Sequence, residues 1–258
     1  MIRLMLDATS VERLLTTPWR VEVRGEVTST NDLVRDAARV GAVEGLVITA
    51  ESQTQGRGRY GRPWADIPGR CLLFSVLLRP PTKNVAPLLG LAAGASVLMA
   101  LRPCCRDLLG LRWPNDLVCN GKKLAGILVE GVADAYVVGV GINVFGRGSE
   151  LSSGRPAVTV EELVALAEGT RTPSREELLA ATLNALCHHY RTLVAGHPGG
   201  LLDVLRAADQ LAGHHITVQS NGVCLEGVAA GLDDMGRLGV RTADGLRWLS
   251  AGEVTTID

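Results

Sequence analysis

The sequence has 258 residues, of which 47% are hydrophobic and 21% are charged. This composition is typical of a packed globular protein and argues against a disordered chain. The 26 Lys and Arg residues nearly balance the 27 Asp and Glu residues, and the formal net charge is -1 at pH 7. A near-zero charge excludes a general attraction to nucleic acid or to anionic membranes, so any electrostatic function must be local.

Cysteine usage and hydropathy limit the class of protein further. The six cysteines form no CxxC pair and have no ligand-like spacing with the five histidines. This pattern argues against a structural zinc site and indicates reduced thiols in a cytoplasmic protein. No signal sequence opens the chain. The uncharged run 85–101 is 17 residues long and contains a proline, so we expect a buried helix there rather than a membrane span.

In the first third of the chain, hydrophobic periodicity predicts alternating strands and helices. Alternating apolar and charged residues predict a half-buried strand over 21–27. Ser and Thr caps before an apolar spacing predict a helix that begins at 28–31 and ends at Gly41. The continuous apolar runs 45–51 and 71–79 predict strands buried on both sides, with an arginine- and glycine-rich loop between them.

Downstream segments continue this alternation. A long buried helix is expected over 84–102. Asn120-Gly121 is a two-residue turn signal and predicts a hairpin whose second strand begins near Lys123. Another interior strand is expected over 135–144. Helices are then expected over 159–168, 174–195 and 198–208, the second of them with Ser174 and Glu177 as a capping box.

From about residue 212 the pattern changes to short alternating runs split by Asn-Gly, Asp-Met-Gly and Asp-Gly turns. Such runs predict four or five short strands and a small SH3-like β-barrel. We therefore expect an α+β fold with two domains. The first, residues 1–210, is a catalytic domain with a mixed sheet, and the second, residues 211–258, is the C-terminal barrel.

The loop "ESQTQGRGRYGRPWAD", residues 51–66, places Arg57, Arg59 and Arg62 among three glycines. It contains G-x-G-x-x-G, but a dinucleotide fingerprint must open a helix and the following segment has two prolines and no helical period. Nucleic-acid binders of the RG type usually repeat the motif in a basic tail. Because arginine's fork fits carboxylates and phosphates, we favour a loop that covers a small anion over a plain surface loop.

A second motif, "RWPND" at 112–116, is followed closely by "GKKLAGILVE". Asn115 and Asp116 present an amide and a carboxylate next to a proline bend. Lys123 enters an otherwise apolar strand, and its spacing fits a site residue as well as a solvated turn residue. Gly126 allows close approach on the same strand. A P-loop is excluded, because the required Gly and Ser/Thr positions are not filled.

Two further motifs are weaker when taken alone. The glycines and Asn143 of "VVGVGINV" fit either close approach to a ligand or a tightly packed strand. "TSTN" at a helix start fits either a cap or a polar ligand site. The sequence has no G-x-S-x-G nucleophile elbow and no obvious general base. Cations around one carboxylate suit electrostatic stabilisation of a phosphoryl or acyl-phosphate transition state.

Taken together and in order, these motifs resemble those of biotin protein ligases, also called biotin–[acetyl-CoA-carboxylase] ligases. The matching segments are STN (29–31), ESQTQGRGRYGRPW (51–64), SVLLRP (75–80), RWPND (112–116), KLAGILVE (123–130) and GVGINV (139–144). The resemblance implies the catalytic fold of biotin and lipoate ligases. It also implies a reaction in which biotin and MgATP give biotinyl-5'-AMP, which then acylates a lysine of a biotin carboxyl carrier protein domain.

The resemblance also implies a set of site residues. The implied catalytic residues are Lys123, Arg57, Arg59 and Asp116. The implied ligand-binding residues are Ser29, Thr30, Asn31, Gln53, Gly56, Arg57, Gly58, Arg59, Trp64, Asn115, Lys123, Gly126 and Asn143. No metal site made by protein side chains alone is expected, and Mg2+ would arrive with ATP.

By motif position, Ser29, Thr30 and Gln53 would bind the ureido head of biotin, and the Gly56–Arg59 backbone would close over it. Arg57 and Arg59 would meet the carboxylate and phosphates, and Lys123 would meet the carboxyl and α-phosphate oxygens. Trp64 and Asn143 would lie near adenine. Asn115 and Asp116 would lie near the phosphates and the incoming lysine.

Some features depart from the family pattern or leave the interpretation open. Arg112 stands where the family usually has Lys, and no residue from 145 to 157 can be assigned a role. About twenty residues precede the first strand, too few for a winged helix-turn-helix, so we expect no repressor activity and no DNA binding.

We expect a monomer or weak homodimer, with loop 51–66 mobile when no ligand is bound. The alternatives are a lipoate or octanoate ligase or transferase, a biotin sensor without turnover and, more distantly, a nucleic-acid-binding module.

Overall fold

The computed structural model describes residues 5–105, 108–151, 154–168, 171–220 and 222–257. Within them the helices are α1 (Ala8–Leu14), α2 (Thr30–Arg39), α3 (Ala86–Cys105), α4 (Val160–Leu166), α5 (Arg175–Val194) and α6 (Gly199–Ala207). The strands are β1 (Arg20–Val27), β2 (Leu46–Gln53), β3 (Cys71–Leu78), β4 (Gly110–Arg112), β5 (Asp116–Cys119), β6 (Lys122–Val132), β7 (Ala135–Asn143), β8 (His215–Ser220), β9 (Val223–Leu232), β10 (Leu238–Thr242), β11 (Gly245–Leu249) and β12 (Glu253–Ile257).

The first sheet has seven strands in the order β1-β2-β3-β7-β6-β5-β4. β1 and β2 pair in parallel and the other neighbours are antiparallel, so the sheet is mixed. Every residue of β3 is buried, as its continuous apolar run predicts. Because side chains alternate across a strand, Leu72 and Phe74 belong to the core that contains α3 and α5, whereas Leu77 packs with α2 on the opposite face.

Helix α3 is the long apolar helix expected from the sequence. The segment Lys83–Cys105 is long and apolar enough to cross a membrane, judged by length and composition only, but 67% of its most apolar window is buried inside the protein. Ala92, Ala93 and Ala95 are fully buried. Helix α3 therefore packs against strands β5, β6 and β7 of the first sheet and also against α5.

Local sequence signals correctly predict several boundaries. Asn120 and Gly121 have φ of 48° and 74°, as a tight two-residue hairpin turn requires. Ser174 and Glu177 form the expected capping box at the start of α5. Ser29 occupies the N-cap position of α2, but its side chain makes no capping hydrogen bond. That hydroxyl is therefore not used to begin the helix.

The second sheet has five antiparallel strands in the order β11-β10-β9-β8-β12. Its core is made of aliphatic residues such as Ile216, Val218 and Val240, which are fully buried. β12 approaches the first sheet, where Arg112 Nη2 donates to the carbonyl oxygen of Val254 at 2.9 Å. The two sheets thus meet beside the "RWPND" segment, and the observed architecture agrees with the expected α+β class.

Candidate active site

A cleft of about 320 Å³ lies over the face of the first sheet that carries α2, between that sheet and β12. The sequence-predicted residues that line it are Ser29, Thr30, Asn31, Gln53, Arg57, Gly58, Arg59, Trp64, Asn115, Asp116, Lys123, Gly126 and Asn143. Gly56 is the predicted residue that does not line it. Its carbonyl oxygen instead accepts a hydrogen bond from Trp64 N at 2.9 Å. Motifs that lie far apart in sequence therefore meet in one place.

Three glycines of β6 and β7 form the floor of the cleft. A Cβ atom at Gly141 would lie 2.6 Å from the Trp64 ring, and one at Gly139 would lie 2.1 Å from Asn31 Oδ1. A Cβ atom at Gly126 would lie 2.9 Å from Lys123 Nζ. These glycines are needed because site side chains lie directly on the backbone.

A polar pocket, here called the head pocket, is formed by Ser29, Thr30, Asn31, Gln53 and Ser75. Gln53 Oε1 accepts hydrogen bonds from Thr30 N at 2.8 Å and Thr30 Oγ1 at 3.1 Å. Ser75 Oγ donates to Asn31 Oδ1 at 2.6 Å and also lies 2.8 Å from Thr30 Oγ1. The hydroxyls and amides are held in place by one another, which presents a fixed set of donors and acceptors to a ligand.

Residues 56–64, here called the flap, form a tight hairpin over the cleft. Gly58 N donates to the carbonyl oxygen of Arg62 at 2.7 Å, above the bond that joins Trp64 to Gly56. Tyr60 and Gly61 have φ of 58° and 70° at its tip. A short 3-10 turn replaces the helix that a dinucleotide fingerprint would open, which agrees with the exclusion of that motif.

All three flap arginines have partners within the protein. Arg57 bonds Asp32 at 2.7 and 2.8 Å and Glu130 at 3.1 and 3.3 Å. Arg59 donates to the carbonyl oxygen of Gly252 at 2.8 Å, and Arg62 pairs with Glu253. The hydrogen bond from Arg57 lowers the pKa of the Asp32 carboxyl below its ordinary value, and the bond from Arg62 does the same for Glu253.

Lys123 lies in the cleft and is not a solvated turn residue. Its Nζ atom is 2.7 Å from Asp116 Oδ1 and 5.4 Å from the centre of the Trp64 ring. Asp116 also faces Arg155, whose Nη1 atom is 3.5 Å from Oδ2. Arg155 belongs to the segment after β7 to which the sequence assigned no role. One carboxylate is thus shared by two cations.

The side-chain amides of Asn143 and Asn115 donate hydrogen bonds to backbone carbonyl oxygens. Asn143 Nδ2 lies 3.3 Å from the carbonyl oxygens of both Lys123 and Val158, so it joins β6 to the segment that follows β7. Asn115 Nδ2 donates to the carbonyl oxygen of Ile127 at 2.9 Å. Among the described residues, Trp64 Nε1 is buried and has no hydrogen-bond partner.

Comparison with known proteins agrees with these motifs. Residues 25–144 match the Biotin/lipoate A/B protein ligase family, and residues 212–255 match the Biotin protein ligase C terminal domain. The biotin–[acetyl-CoA-carboxylase] ligase of Mycobacterium tuberculosis is 34% identical over 92% of this chain and 89% of its own length. The chain belongs to the biotin protein ligase family.

Other similar proteins support the same family and fold. The biotin–[acetyl-CoA-carboxylase] ligase of Paracoccus denitrificans is 28% identical over 80% of this chain and 88% of its own length. The biotin protein ligase of Aquifex aeolicus, solved in complex with biotin and ATP, has a TM-score of 0.79 at 27% identity and covers 92% of this chain and 97% of that chain. The predicted α+β class is confirmed, and this biotin protein ligase is an enzyme of the biotin–[acetyl-CoA-carboxylase] ligase class.

In this biotin ligase, Arg112 stands directly before "WPND", where the resemblance led us to expect a lysine. The guanidinium lines the cleft and bonds the carbonyl oxygen of Val254 in β12. Burial lowers its pKa, and the charge of Arg155 lowers it further. Arg112 therefore connects the cleft to the second sheet.

The sequence interpretation assigned no role to several residues that shape the site. Ser75 could have been noticed, because it is the one hydroxyl residue in the apolar strand "CLLFSVLL". Asp32, Glu130 and Glu253 carry no such local signal, because their partners lie 25, 73 and 191 residues away in the chain.

Proposed function

We propose that this biotin ligase joins biotin to ATP and then transfers biotin to a lysine of a biotin carboxyl carrier protein domain. In the first step a biotin carboxylate oxygen attacks the α-phosphorus of ATP, a C–O–P linkage forms, and pyrophosphate leaves. In the second step the neutral lysine amine attacks the acyl carbon, the bond from that carbon to the AMP oxygen breaks, AMP leaves, and the nitrogen loses a proton to solvent as the amide forms. The observation that carries this proposal is the single cleft in which the head pocket, the flap arginines and Lys123 meet.

The charges of the cleft fit the first step. A carboxylate and a triphosphate repel each other, so local cations are needed to bring them into line. Lys123 and Arg59 both line the cleft and are paired with groups that a ligand's oxygens can replace, namely Asp116 Oδ1 and the carbonyl oxygen of Gly252. A positioned cation of this kind contributes about 2–4 kcal/mol to the transition state.

The head pocket fits the ureido group of biotin, which has two N–H donors and one carbonyl acceptor. Thr30 and Asn31 are almost fully buried, and Ser29 has a hydroxyl that is not used as a cap. We propose that this pocket binds the ureido head and that the biotin chain runs along the glycine floor toward Lys123. The flap would then exclude water from the adenylate.

Mg2+ would enter together with the phosphates of ATP. Among the described residues no group of three His, Cys, Asp or Glu side chains could hold a metal ion. Mg2+ usually binds one or two carboxylates together with substrate phosphates and water. Among the described residues, Asp116 and Glu253 are the carboxylates that line the cleft, and both are already paired with cationic side chains. We propose that Asp116 meets the incoming lysine.

Pyrophosphate exchange into ATP tests the proposal. We expect biotin to stimulate exchange, whereas lipoate and octanoate should not. Stimulation by lipoate alone would assign the chain to the lipoate ligases, and tight biotin binding without exchange would indicate a sensor. Transfer is tested by mass spectrometry of a carrier domain, with its target lysine replaced by arginine as the control.

Further properties remain part of the proposal. We propose a division between a catalytic domain, residues 1–210, and a C-terminal domain, residues 211–258, although β12 contributes Glu253 and Val254 to the cleft. We also propose a cytoplasmic monomer or weak homodimer without repressor activity. Sedimentation of the full chain with and without biotin and ATP tests the oligomeric state. A mobility-shift assay with DNA tests the absence of repressor activity.

A further inference from the structure

The side-chain amide of Asn31 is enclosed by protein atoms in the wall of the head pocket. Only 4% of the residue is exposed. Its Nδ2 atom donates to Glu130 Oε2 at 2.6 Å, and its Oδ1 atom accepts a hydrogen bond from Ser75 Oγ at 2.6 Å. A Cβ atom at Gly139 would lie 2.1 Å from Oδ1, so the amide lies directly on the main chain of β7. The main freedom left to this amide is a half-turn that exchanges its oxygen and nitrogen.

Glu130 decides which way the Asn31 amide points. A half-turn changes the shape of the amide very little, so packing alone does not exclude it. A carboxylate offers acceptors and no donor, whereas the two ends of an amide are one acceptor and one donor. With Oδ1 turned toward Glu130, two acceptors would face each other where Nδ2 and Oε2 are now 2.6 Å apart. Glu130 therefore keeps the nitrogen on its own side and directs the oxygen toward Ser75.

The orientation of Asn31 is passed on through two hydroxyl groups. Ser75 is fully buried and has one hydroxyl hydrogen, which goes to Asn31 Oδ1 because this buried oxygen would otherwise lack a donor. Ser75 Oγ also lies 2.8 Å from Thr30 Oγ1 but has no second hydrogen to give it. Thr30 donates its own hydrogen to Gln53 Oε1 at 3.1 Å. The lone pairs of the Thr30 hydroxyl are therefore kept for a ligand.

We propose that Glu130 is a positioning residue that sets the hydrogen-bond polarity of the head pocket, so that Thr30 presents an acceptor to the ligand. Thr30 lines the cleft and Glu130 does not, so Glu130 acts through Asn31 and Ser75. The pocket thereby selects a ring with an N–H donor, such as a cyclic urea, over a dithiolane ring that has none. A site built for a substrate N–H discriminates strongly, because its buried polar groups are otherwise left unpaired. That the cyclic urea belongs to biotin rests on the proposed function above.

Glu130 has other partners, and their effect must be separated from its effect on Asn31. Its Oε1 atom lies 3.1 Å from Arg57 Nη2 and 3.8 Å from Arg35 Nη1, whereas Oε2 accepts the bond from Asn31. A substitution of Glu130 therefore changes a flap contact as well as the head pocket. If the pocket is what matters, the loss must persist when Arg57 is removed.

Calorimetric titration of the full chain with biotin tests the proposal. We expect Glu130→Gln to weaken biotin binding about tenfold, because glutamine pairs with either end of an amide and no longer fixes Asn31. The same loss should appear in an Arg57→Ala background, and a loss that vanishes there would overturn the proposal. Asp134→Asn is the matched control and should bind biotin as the wild type does. Asp134 pairs with Arg79 in the turn between β6 and β7, and its side chain is 78% exposed.

A double-mutant cycle distinguishes this hydrogen-bond chain from a general loss of structure. Glu130 and Ser75 bond opposite ends of Asn31. Ser75→Ala should weaken biotin binding about tenfold, and adding Glu130→Gln should weaken it less than about threefold further, because the chain is already broken. Fully additive losses would overturn the proposal.

NMR signals of the Asn31 side-chain amide test the first link by itself, in the isotope-labelled full chain without ligand. We expect the two Nδ2 protons to be well separated in chemical shift in the wild type, since one of them is bonded to a carboxylate. Glu130→Gln should reduce this separation, and Asn31→Asp identifies the signals by removing them. Unchanged signals in Glu130→Gln would overturn the proposal. A wild type that binds no biotin would instead contradict the proposed function, and the amide signals would still decide whether Glu130 orients Asn31.

Discussion

The two sides of the flap are held in different ways. On the side of α2, Arg57 makes charged hydrogen bonds to Asp32 of α2 and to Glu130 of β6. On the side of β12, Arg59 bonds a backbone carbonyl and Arg62 pairs with Glu253 while 51% exposed. Exposed pairs are weak, and partly buried bidentate pairs are stronger. The flap is therefore expected to open from the β12 side first.

This difference suggests that the two sides of the flap serve different parts of the cleft. The strongly held side covers the head pocket, whereas the weakly held side covers the region near Asp116, Lys123 and the second sheet. In the proposed reaction, ATP could enter and AMP could leave through the second region without disturbing the first. Substitutions of Lys123 and of the flap arginines test this difference between the two sides.

The largest effect is expected for Lys123, which lies beside Asp116 in the region that the weakly held side covers. Lys123→Ala should lower biotin-dependent pyrophosphate exchange about 10²- to 10³-fold, because it removes the cation that we propose meets the reacting oxygens. Lys122→Ala is the control, since Lys122 is the exposed neighbour in the same turn. Thermal unfolding should show that both variants stay folded. Full activity of Lys123→Ala would show that Lys123 is not needed for the reaction.

Substitutions of Arg57 and Arg62 compare the two sides directly, because each arginine holds one side of the flap. Arg57→Ala should speed the release of biotinyl-5'-AMP about tenfold, whereas Arg62→Ala should speed it only about two- to threefold. Release can be measured by dilution of the preformed complex into excess biotin. Equal effects would show that the two sides hold the flap equally, and a larger effect of Arg62→Ala would reverse the proposed order of opening.

The pH dependence of release should be flat near neutrality. The carboxyls of Asp32 and Glu253 both have a pKa below their ordinary values of 3.8 and 4.5, because arginine hydrogen bonds favour the charged form. A lowered pKa means that the contribution is fully present above the ordinary value and is lost as the pH falls through the folded value. We expect constant release from about pH 8 to 6 and faster release only below about pH 4. An acceleration between about pH 7 and 6 would point to other groups.

The smallest effect is expected for Arg112→Lys, which keeps the positive charge at this position. A lysine can still donate to the carbonyl oxygen of Val254, although without the fork of arginine. We expect exchange activity to change less than about twofold. A tenfold change would show that the geometry of this cation, and with it the contact to the second sheet, matters for the reaction.

Local features of the fold could be predicted from the sequence, because they depend on neighbouring residues. The Asn120-Gly121 turn and the Ser174–Glu177 capping box are of this kind. The site motifs were also found, since the family resemblance brings their order with it. Roles for these residues remain proposals.

Contacts between distant segments could not be predicted in the same way. Nothing near Arg57 in the sequence indicates that Asp32 and Glu130 would hold it, and nothing near Arg59 indicates the carbonyl oxygen of Gly252. The contact of Arg155 with Asp116 could not be predicted either, because the segment that contains Arg155 has no recognisable pattern. Such contacts depend on how β6, β12 and α2 come together, which only the folded chain shows.

The glycine floor has a consequence for redesign of the cleft. At Gly139 and Gly141 even a methyl group would approach Asn31 Oδ1 to 2.1 Å and the Trp64 ring to 2.6 Å. The two glycines thus let the side chains of Asn31 and Trp64 lie against the main chain, and an added Cβ would push these side chains into the cleft. An engineer who wants to admit a bulkier analogue must therefore change the walls, at Trp64 or in the flap, and leave these strand positions untouched.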